Sequence, residues 1–404
     1  MSTYLLEIGT EELPADLAES VISQLELNVN NDLNSSQIKF NEIRVTTTPR
    51  RIALTIEGIA PFSEDNIAER KGPPVSQAFQ DGKPTKAAIG FAKRYDLSPE
   101  KLEIRETSKG SFVFAKSIEK GKPVTTLLPD YLPRWISRIQ GRRFMRWGKG
   151  DFRFSRPIRW IVSLLDSEVL SFEISGCDPE IQIGNISRPH RLHGAKLVIN
   201  NAKTYFDQLQ EFGVIVDRNR RLSCINDLVL NHEIDKKVKP DLTDPLLNEL
   251  TDLVESPLLV TGSFDETFLD LPPEVLSTVM KVHQRYIPLY KVNVEFNPLS
   301  LDSRNNLLPV FLCISNGLPS AKKTIIKGNE KVLKARFADA SFFIKSDLLI
   351  SSSSRIDKLK DVTFSEGLGS LYERVNRIEW LVKLLTLELE FDQEDIQKSV
   401  KVAH

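Results

Sequence analysis

Between Arg142 and Trp160 the chain reads RRFMRWGKGDFRFSRPIRW, six arginines and one lysine interleaved with five aromatic residues. A guanidinium is planar, always charged, and grips phosphate or carboxylate through two parallel hydrogen bonds. Aromatic faces stack on unpaired bases, worth about 1–3 kcal/mol each, so the mixture suits structured RNA, whose loops and ends are read by stacking. It also suits a protein–protein interface, where arginine and aromatic side chains are enriched. A third reading is internal: rings facing a core, arginines paired with acidic residues elsewhere, and Arg156–Pro157 marking a turn. The residue types leave all three open. The candidate contact residues are Arg142, Arg143, Arg146, Trp147, Arg153, Arg156 and Arg159.

Other chemistry is thinly represented. His190 and His193 in SRPHRLHG stand three apart, a spacing that suits two metal ligands only on a helix, and Pro189 and Gly194 argue against one. No carboxylate or cysteine flanks them at ligand spacing, so no metal site is expected. His283 in KVHQRY reads as a satisfied surface or interface histidine, and His404 supports nothing alone. There is no G-x-S-x-G elbow, no phosphate-binding G-x-x-x-x-G-K-[ST] and no G-x-G-x-x-G. Glu7, Glu11 and Glu12 read as ordinary surface acids. No catalytic residue is assigned.

The chain that must position the arginines has 404 residues, 54 Lys+Arg against 55 Asp+Glu, and a formal charge of −1. Bulk charge therefore cannot hold it to a polyanion, and any nucleic-acid contact must come from a local patch. Its length suggests about two to four domains. The three cysteines, Cys177, Cys224 and Cys313, match no zinc spacing and suggest no disulfide framework. The N-terminus lacks a basic leader, and no apolar stretch approaches the roughly 18 residues that would span a bilayer. The cytoplasm is the expected compartment.

Periodicity predicts a strand over residues 3–9, a helix after Pro14 with apolar residues three and four apart, and two strands broken at Pro49. That order implies helices on one face of an antiparallel sheet. KGPP and DGKP read as turns, TKAAIGFAKRY as helix, and KLEIRET with SFVFAKSIEKG as a hairpin turning at Ser108–Gly110. A helix over 124–140 precedes the arginine window, and a second hairpin follows it. Residues 200–260 are mainly helical, and the stretch opening at Pro273 is a helix containing His283. LLPVFLCIS is a strand, a long helical pattern runs through Phe337, Phe342 and Phe343, and 369–404 is helical to its last residue. An ending in periodic sequence without a cap suggests a truncated chain.

Seven stretches in order give the chain a resemblance to the β subunit of the bacterial heterotetrameric glycyl-tRNA synthetase. They are LLEIGTEELPA (5–15), TTPRRIALTI (47–56), KGPPVSQAFQDGKPTKAAIGFA (71–92), FMRWG with FSRPIRWIVSLL (144–165), LPPEVLSTVMKVHQRYIPLY (271–290), IIKGNEKVLKARFADASFFIKSD (325–347) and FSEGLGSLYERVNRIEWL (364–381). The resemblance implies an α2β2 ligase that joins glycine to tRNA(Gly), with ATP and Mg2+ expected on the α subunit and none bound by this chain. The β subunit would supply tRNA recognition and assembly, so the arginine candidates become tRNA or α-subunit contacts, with no membrane or DNA partner. It further implies that the helices beyond about residue 326 begin an incomplete HD-like domain. Pro189 stands where the family usually has glycine, which leaves the role of His190 undecided.

The expected architecture is an α+β multidomain chain: an antiparallel-sheet α+β N-terminal region followed by a mainly α-helical, HD-like C-terminal region. Its units are 1–65 (an α+β unit whose strands can pair with later ones), 66–200 (α+β, with the arginine window), 201–325 (mixed α/β) and 326–404 (helical). Two competitors come from other classes. A metal-dependent HD phosphohydrolase needs a paired His-Asp step, and only His404 lies in the relevant region. A stand-alone RNA-binding or scaffold protein would need no α subunit.

Overall fold

The structure, a computed structural model, describes residues 1–108, 110–194, 196–292, 306–390 and 392–402; Lys109 and His404 lie outside them. It is a mixed α/β chain with several antiparallel sheets. It divides into two compact units, one of residues 1–262, 285–295 and 310–327, the other of 263–284, 296–309 and 328–404.

The centre of the first unit is an antiparallel sheet around β1 (Ser2–Thr10). On one side β1 pairs with β3 (Arg51–Ile59), which pairs with β2 (Glu42–Thr48). On the other it pairs with the strand Ile158–Leu165, in register Leu5↔Leu164 and Glu7↔Val162. The N-terminal strands are thus completed by a strand some 150 residues later in the chain. Glu168–Val169 closes the second hairpin as a two-residue edge, and Ile183–Gly184 adds to Ile158–Leu165 in parallel.

Period-2 alternation sorts β1 onto two cores. Tyr4, Leu6 and Ile8 face α1 (Ala18–Ser35) and the helix Val124–Ser137, where Val21, Leu25, Val29, Leu128, Leu132 and Trp135 are fully buried. Leu5 faces the opposite core, with Trp160, Val162, Tyr205, Leu209 and Val216. One covered face was the expectation; both are covered, which explains why β1 and β3 read as near-continuous apolar runs rather than alternating ones. In such a strand a charged Glu7 has nowhere wet to point.

Between β3 and the helix Val124–Ser137 the chain forms a small layer of three strands, Asn66–Pro74, Gly110–Glu119 and Glu103–Thr107, over the helix Lys86–Arg94. The hairpin expected at Ser108–Gly110 is present in this layer. KGPP, expected as a turn, instead ends the first strand, where its register slips between Lys71 and Pro74; prolines are tolerated at such irregularities.

After residue 200, the helices Tyr205–Glu211, Arg218–Lys236 and Asp244–Leu253 accompany a four-stranded sheet ordered Val238–Pro240, Ile287–Lys291, Leu307–Ser315, Leu258–Ser263. The helix opened by Pro273 ends at Thr278, passes through a π-helical turn Val279–Gln284 that holds His283, and gives way to strand at Ile287. In the second unit Phe337 is buried against Phe264 and Phe268, with ring centroids 5.0 and 5.5 Å away, while Phe342 and Phe343 are exposed. The helix expected over 369–404 is two, Leu371–Glu388 and Gln393–Val402, parted around Glu390, which has a positive φ. Among the described residues no helix is long and apolar enough to cross a membrane.

Candidate nucleic-acid interface

The arginine window crosses back on itself. Met145 and Phe154 exchange backbone hydrogen bonds of 2.8 and 3.1 Å, forming an isolated bridge that turns the rings inward. Phe154 is fully buried, and Phe144, Trp147 and Phe152 pack against the same core. Trp160, one strand onward, is buried on the other face of the sheet. Trp147 stands edge-on to Phe152 at 5.9 Å and is half-buried. The rings are thus spent on packing, and stacking platforms for bases are not what this window presents.

The cations point the other way. Arg142, Arg143, Arg146, Arg153 and Arg159 are exposed and Arg156 is half-buried. Arg146 pairs with Asp151 at 3.1 Å, Arg159 Nε donates to Glu11 Oε1 at 2.6 Å, and Arg156 Nη1 donates to the Ser155 carbonyl at 2.8 Å. Arg142, Arg143 and Arg153 make no ion pair with any described residue. Arg142, Arg143 and Arg156 line one cleft of about 540 Å³ with Pro14, Asp16, Leu17 and Ser20 at the start of α1. Three guanidiniums against one carboxylate leave that cleft positive.

Several of the stretches that carry the family resemblance meet at this end of the sheet. Thr10 N donates to the Arg50 carbonyl at 2.8 Å, Glu11 N to the Pro157 carbonyl at 3.1 Å, and Leu13 N to the Pro49 carbonyl at 2.6 Å. GTEELP, TTPRR and FSRPIRW are therefore one structural edge, joined by Arg191 of SRPHR through its ion pair with Glu12.

Beneath that edge lies a buried polar hub whose central members, Arg51 and Glu255, carry no signal in sequence spacing. Arg51 and Glu7 are fully buried, as is Glu255. Arg51 Nε donates to Glu255 Oε1 at 3.2 Å and its Nη2 to the Arg188 carbonyl at 2.9 Å, while Nη1 lies 3.7 Å from Glu7 Oε2. Glu7 Oε1 accepts from Ser187 Oγ at 2.6 Å and from the Trp160 indole, and Glu255 Oε1 accepts from Thr48 Oγ1 at 2.8 Å. Glu7 is thus no surface acid. One clue lay in composition: a carboxylate in the middle of TYLLEIG has to be matched by a buried cation, and TTPRR supplies it.

The electrostatics follow from that packing. Burial pushes Arg51 down, but the carboxylates of Glu255 and Glu7 more than reverse it, so its proton is held above the ordinary arginine range. Burial pushes Glu255 up; Arg51, the Thr48 hydroxyl and Arg50 outweigh that and leave it below its ordinary 4.5. Burial, then the Glu7 charge, raises Tyr205. Arg221, buried and donating to the carbonyls of Thr251, Ile215, Val216 and Thr47, is pushed down to about 10 by desolvation.

His190 belongs to this framework too. It is buried in a turn rather than a helix, with Nε2 3.0 Å from Asn316 Oδ1, which also accepts from the backbone N–H groups of Glu255 and Ser256. The His193 ring centroid is 6.1 Å from that of His190, edge-on, in the geometry of a ring contact. Among the described residues no group of three or more His, Cys, Asp or Glu is arranged to hold a metal ion.

Fold and site together define a mixed α/β chain that displays guanidinium groups along one sheet edge, over a buried carboxylate–arginine framework. Residues 4–404 match the family model of the glycyl-tRNA synthetase beta subunit, and the chain belongs to that family. It is 41% identical over 402 residues to the glycine–tRNA ligase beta subunit of Trichodesmium erythraeum, covering 99% of this chain and 55% of the relative. For the beta subunit of Acaryochloris marina the identity is 40% over 401 residues, covering 98% and 55%. For that of Listeria monocytogenes it is 36% over 402 residues, covering 99% and 56%. The chain spans about half the length of the curated relatives it matches.

Proposed function

We propose that this chain is the RNA-handling and assembly portion of a glycine–tRNA ligase: with an α subunit, in an α2β2 enzyme, it serves ATP-dependent attachment of glycine to tRNA(Gly) in the cytoplasm. ATP and Mg2+ belong to the α subunit, and the helices beyond residue 326 begin an HD-like domain. Family membership supports the reading over a phosphohydrolase or an independent scaffold. The observation that carries the RNA part is the outward set Arg142, Arg143 and Arg153, exposed and with no carboxylate partner among the described residues, on a chain of net charge −1. Unpaired arginines clustered on an otherwise balanced protein make a local positive patch whose guanidiniums suit phosphate supplied from outside.

Two measurements test it. The chain should co-purify with the α subunit, and α plus the full-length form should charge tRNA with glycine; failure of that mixture to charge rejects the assignment. Separately, Arg142→Gln/Arg143→Gln/Arg153→Gln should flatten the dependence of log K on log salt for tRNA(Gly) by about 0.7–0.9 for each phosphate no longer neutralised. An unchanged slope together with a lowered Tm would make the window an internal structural element.

A further inference from the structure

A second basic cleft lies on the same edge, outside the 142–159 window. It has a volume of about 300 Å³ and is lined by Arg50, Arg188, Pro189, His190, Arg191, Gly194 and Lys196. Three of its four strong cations form no ion pair among the described residues, although Arg50 lies in the field of Glu255 and Glu11. Arg191 pairs with Glu12, but Arg50, Arg188 and Lys196 make no ion pair with a described residue. The two buried carboxylates beneath it, Glu7 and Glu255, each pair with Arg51, and one oxygen of each accepts no hydrogen bond.

Two features mark this cleft as built rather than incidental. Arg50 is half-buried, and its Nη1 is sealed from solvent without a hydrogen-bond partner, an expensive state for a charged donor. Burial, with Arg51 and Arg188 close by, holds Arg50 below its usual arginine value against the opposing pull of Glu255 and Glu11. Arg188 is pre-positioned: its carbonyl is held by Arg51, and its guanidinium lies over the Trp160 ring at 4.8 Å, with Arg50 over the same ring at 5.8 Å. A cation–π seat fixes a guanidinium plane before any ligand arrives.

We propose that this cleft is a phosphate-binding site, in which the exposed Arg188 and Lys196 hold a phosphoryl group and the half-buried Arg50 behind them adds positive charge. A backbone phosphodiester of RNA and a free nucleotide both carry that group; an RNA source rests on the function proposed above, whereas the site itself does not.

The test uses Arg188→Gln/Lys196→Gln, two exposed positions whose replacement should leave Tm unchanged, with Arg50→Gln as a second variant. Fluorescein-labelled tRNA(Gly) transcript is titrated with each protein over a salt series, and AMP and inorganic phosphate are added in a parallel melting experiment. If RNA is the source, the double variant loses about 0.7–0.9 from the salt slope, the share of one phosphate, and binds roughly tenfold or more weakly, while AMP shifts no Tm. If the source is a nucleotide, AMP raises the wild-type Tm and not that of the variant. A wild-type slope with no AMP shift in any protein overturns the site. Should that coincide with weaker capture of the α subunit, the cleft takes a protein carboxylate instead. The function proposed above fails separately, if wild-type protein binds no tRNA while AMP still protects through Arg188.

Discussion

Arg51 carries two buried carboxylates at once, those of Glu255 and Glu7, and no water can take its place. Removing one partner of a buried ionic cluster costs about 3–5 kcal/mol, because the remaining charges stay desolvated. Arg51→Met should therefore lower the denaturant-unfolding free energy by about that amount, read from the urea midpoint at unchanged m-value. The cluster also fixes an acid response. Since Glu255 titrates below 4.5 when folded, its contribution is complete above that ordinary value and is lost as pH falls through the folded one. Stability measured from pH 6 downward should drop less steeply below about pH 4.5 in Glu255→Gln than in the wild type; parallel profiles would deny Glu255 this role.

At the scale of elements, β1 and its neighbour Ile158–Leu165 depend on one close approach. A Cβ placed on Gly9 would sit 1.9 Å from the Trp160 ring, so only glycine lets the indole lie across the strand to reach Glu7 and support Arg188. Gly9→Ala should destabilise by about 1–3 kcal/mol through overpacking and disturb the 300 Å³ cleft; near-UV circular dichroism of Trp160 and a thermal melt would register both. The helix Leu371–Glu388 starts with a capping box, the Ser370 hydroxyl accepting from Glu373 N and the Glu373 carboxylate accepting from Ser370 N at 2.7 Å. Ser370→Ala should cost about 1 kcal/mol, and a melt with no shift would mean that this helix is held by packing alone.

For the molecule as a whole, a net charge of −1 means that attraction to a polyanion has to be produced by exposing some cations and neutralising others. Along the sheet edge the structure does both: Arg159 and Arg191 are quenched by Glu11 and Glu12, while Arg142, Arg143, Arg153, Arg188 and Lys196 pair with no described carboxylate. Glu11→Gln/Glu12→Gln should unmask two guanidiniums and steepen the salt slope for tRNA(Gly) by as much as about 1.4–1.8. Unaltered binding would place this edge away from the RNA.

Local pattern was enough to read β1, α1, β2, β3, the Ser108–Gly110 hairpin and the long helix through Phe337, because each depends on periodicity and turn residues a few positions apart. The concentration of arginine at 142–159 was equally plain. What the residues alone did not decide was direction and company. Rings and cations alternate in that window, and only the bridge between Met145 and Phe154 sends the rings inward. Glu7 passes for a surface acid until Ile158–Leu165 pairs beside β1 and the chain near residue 255 closes over Arg51. The second basic cleft gathers Arg50, Arg188 and Lys196 from positions up to 146 residues apart. Sequence spacing holds no record of such meetings, since they arise from long-range strand pairing and the desolvation that comes with it.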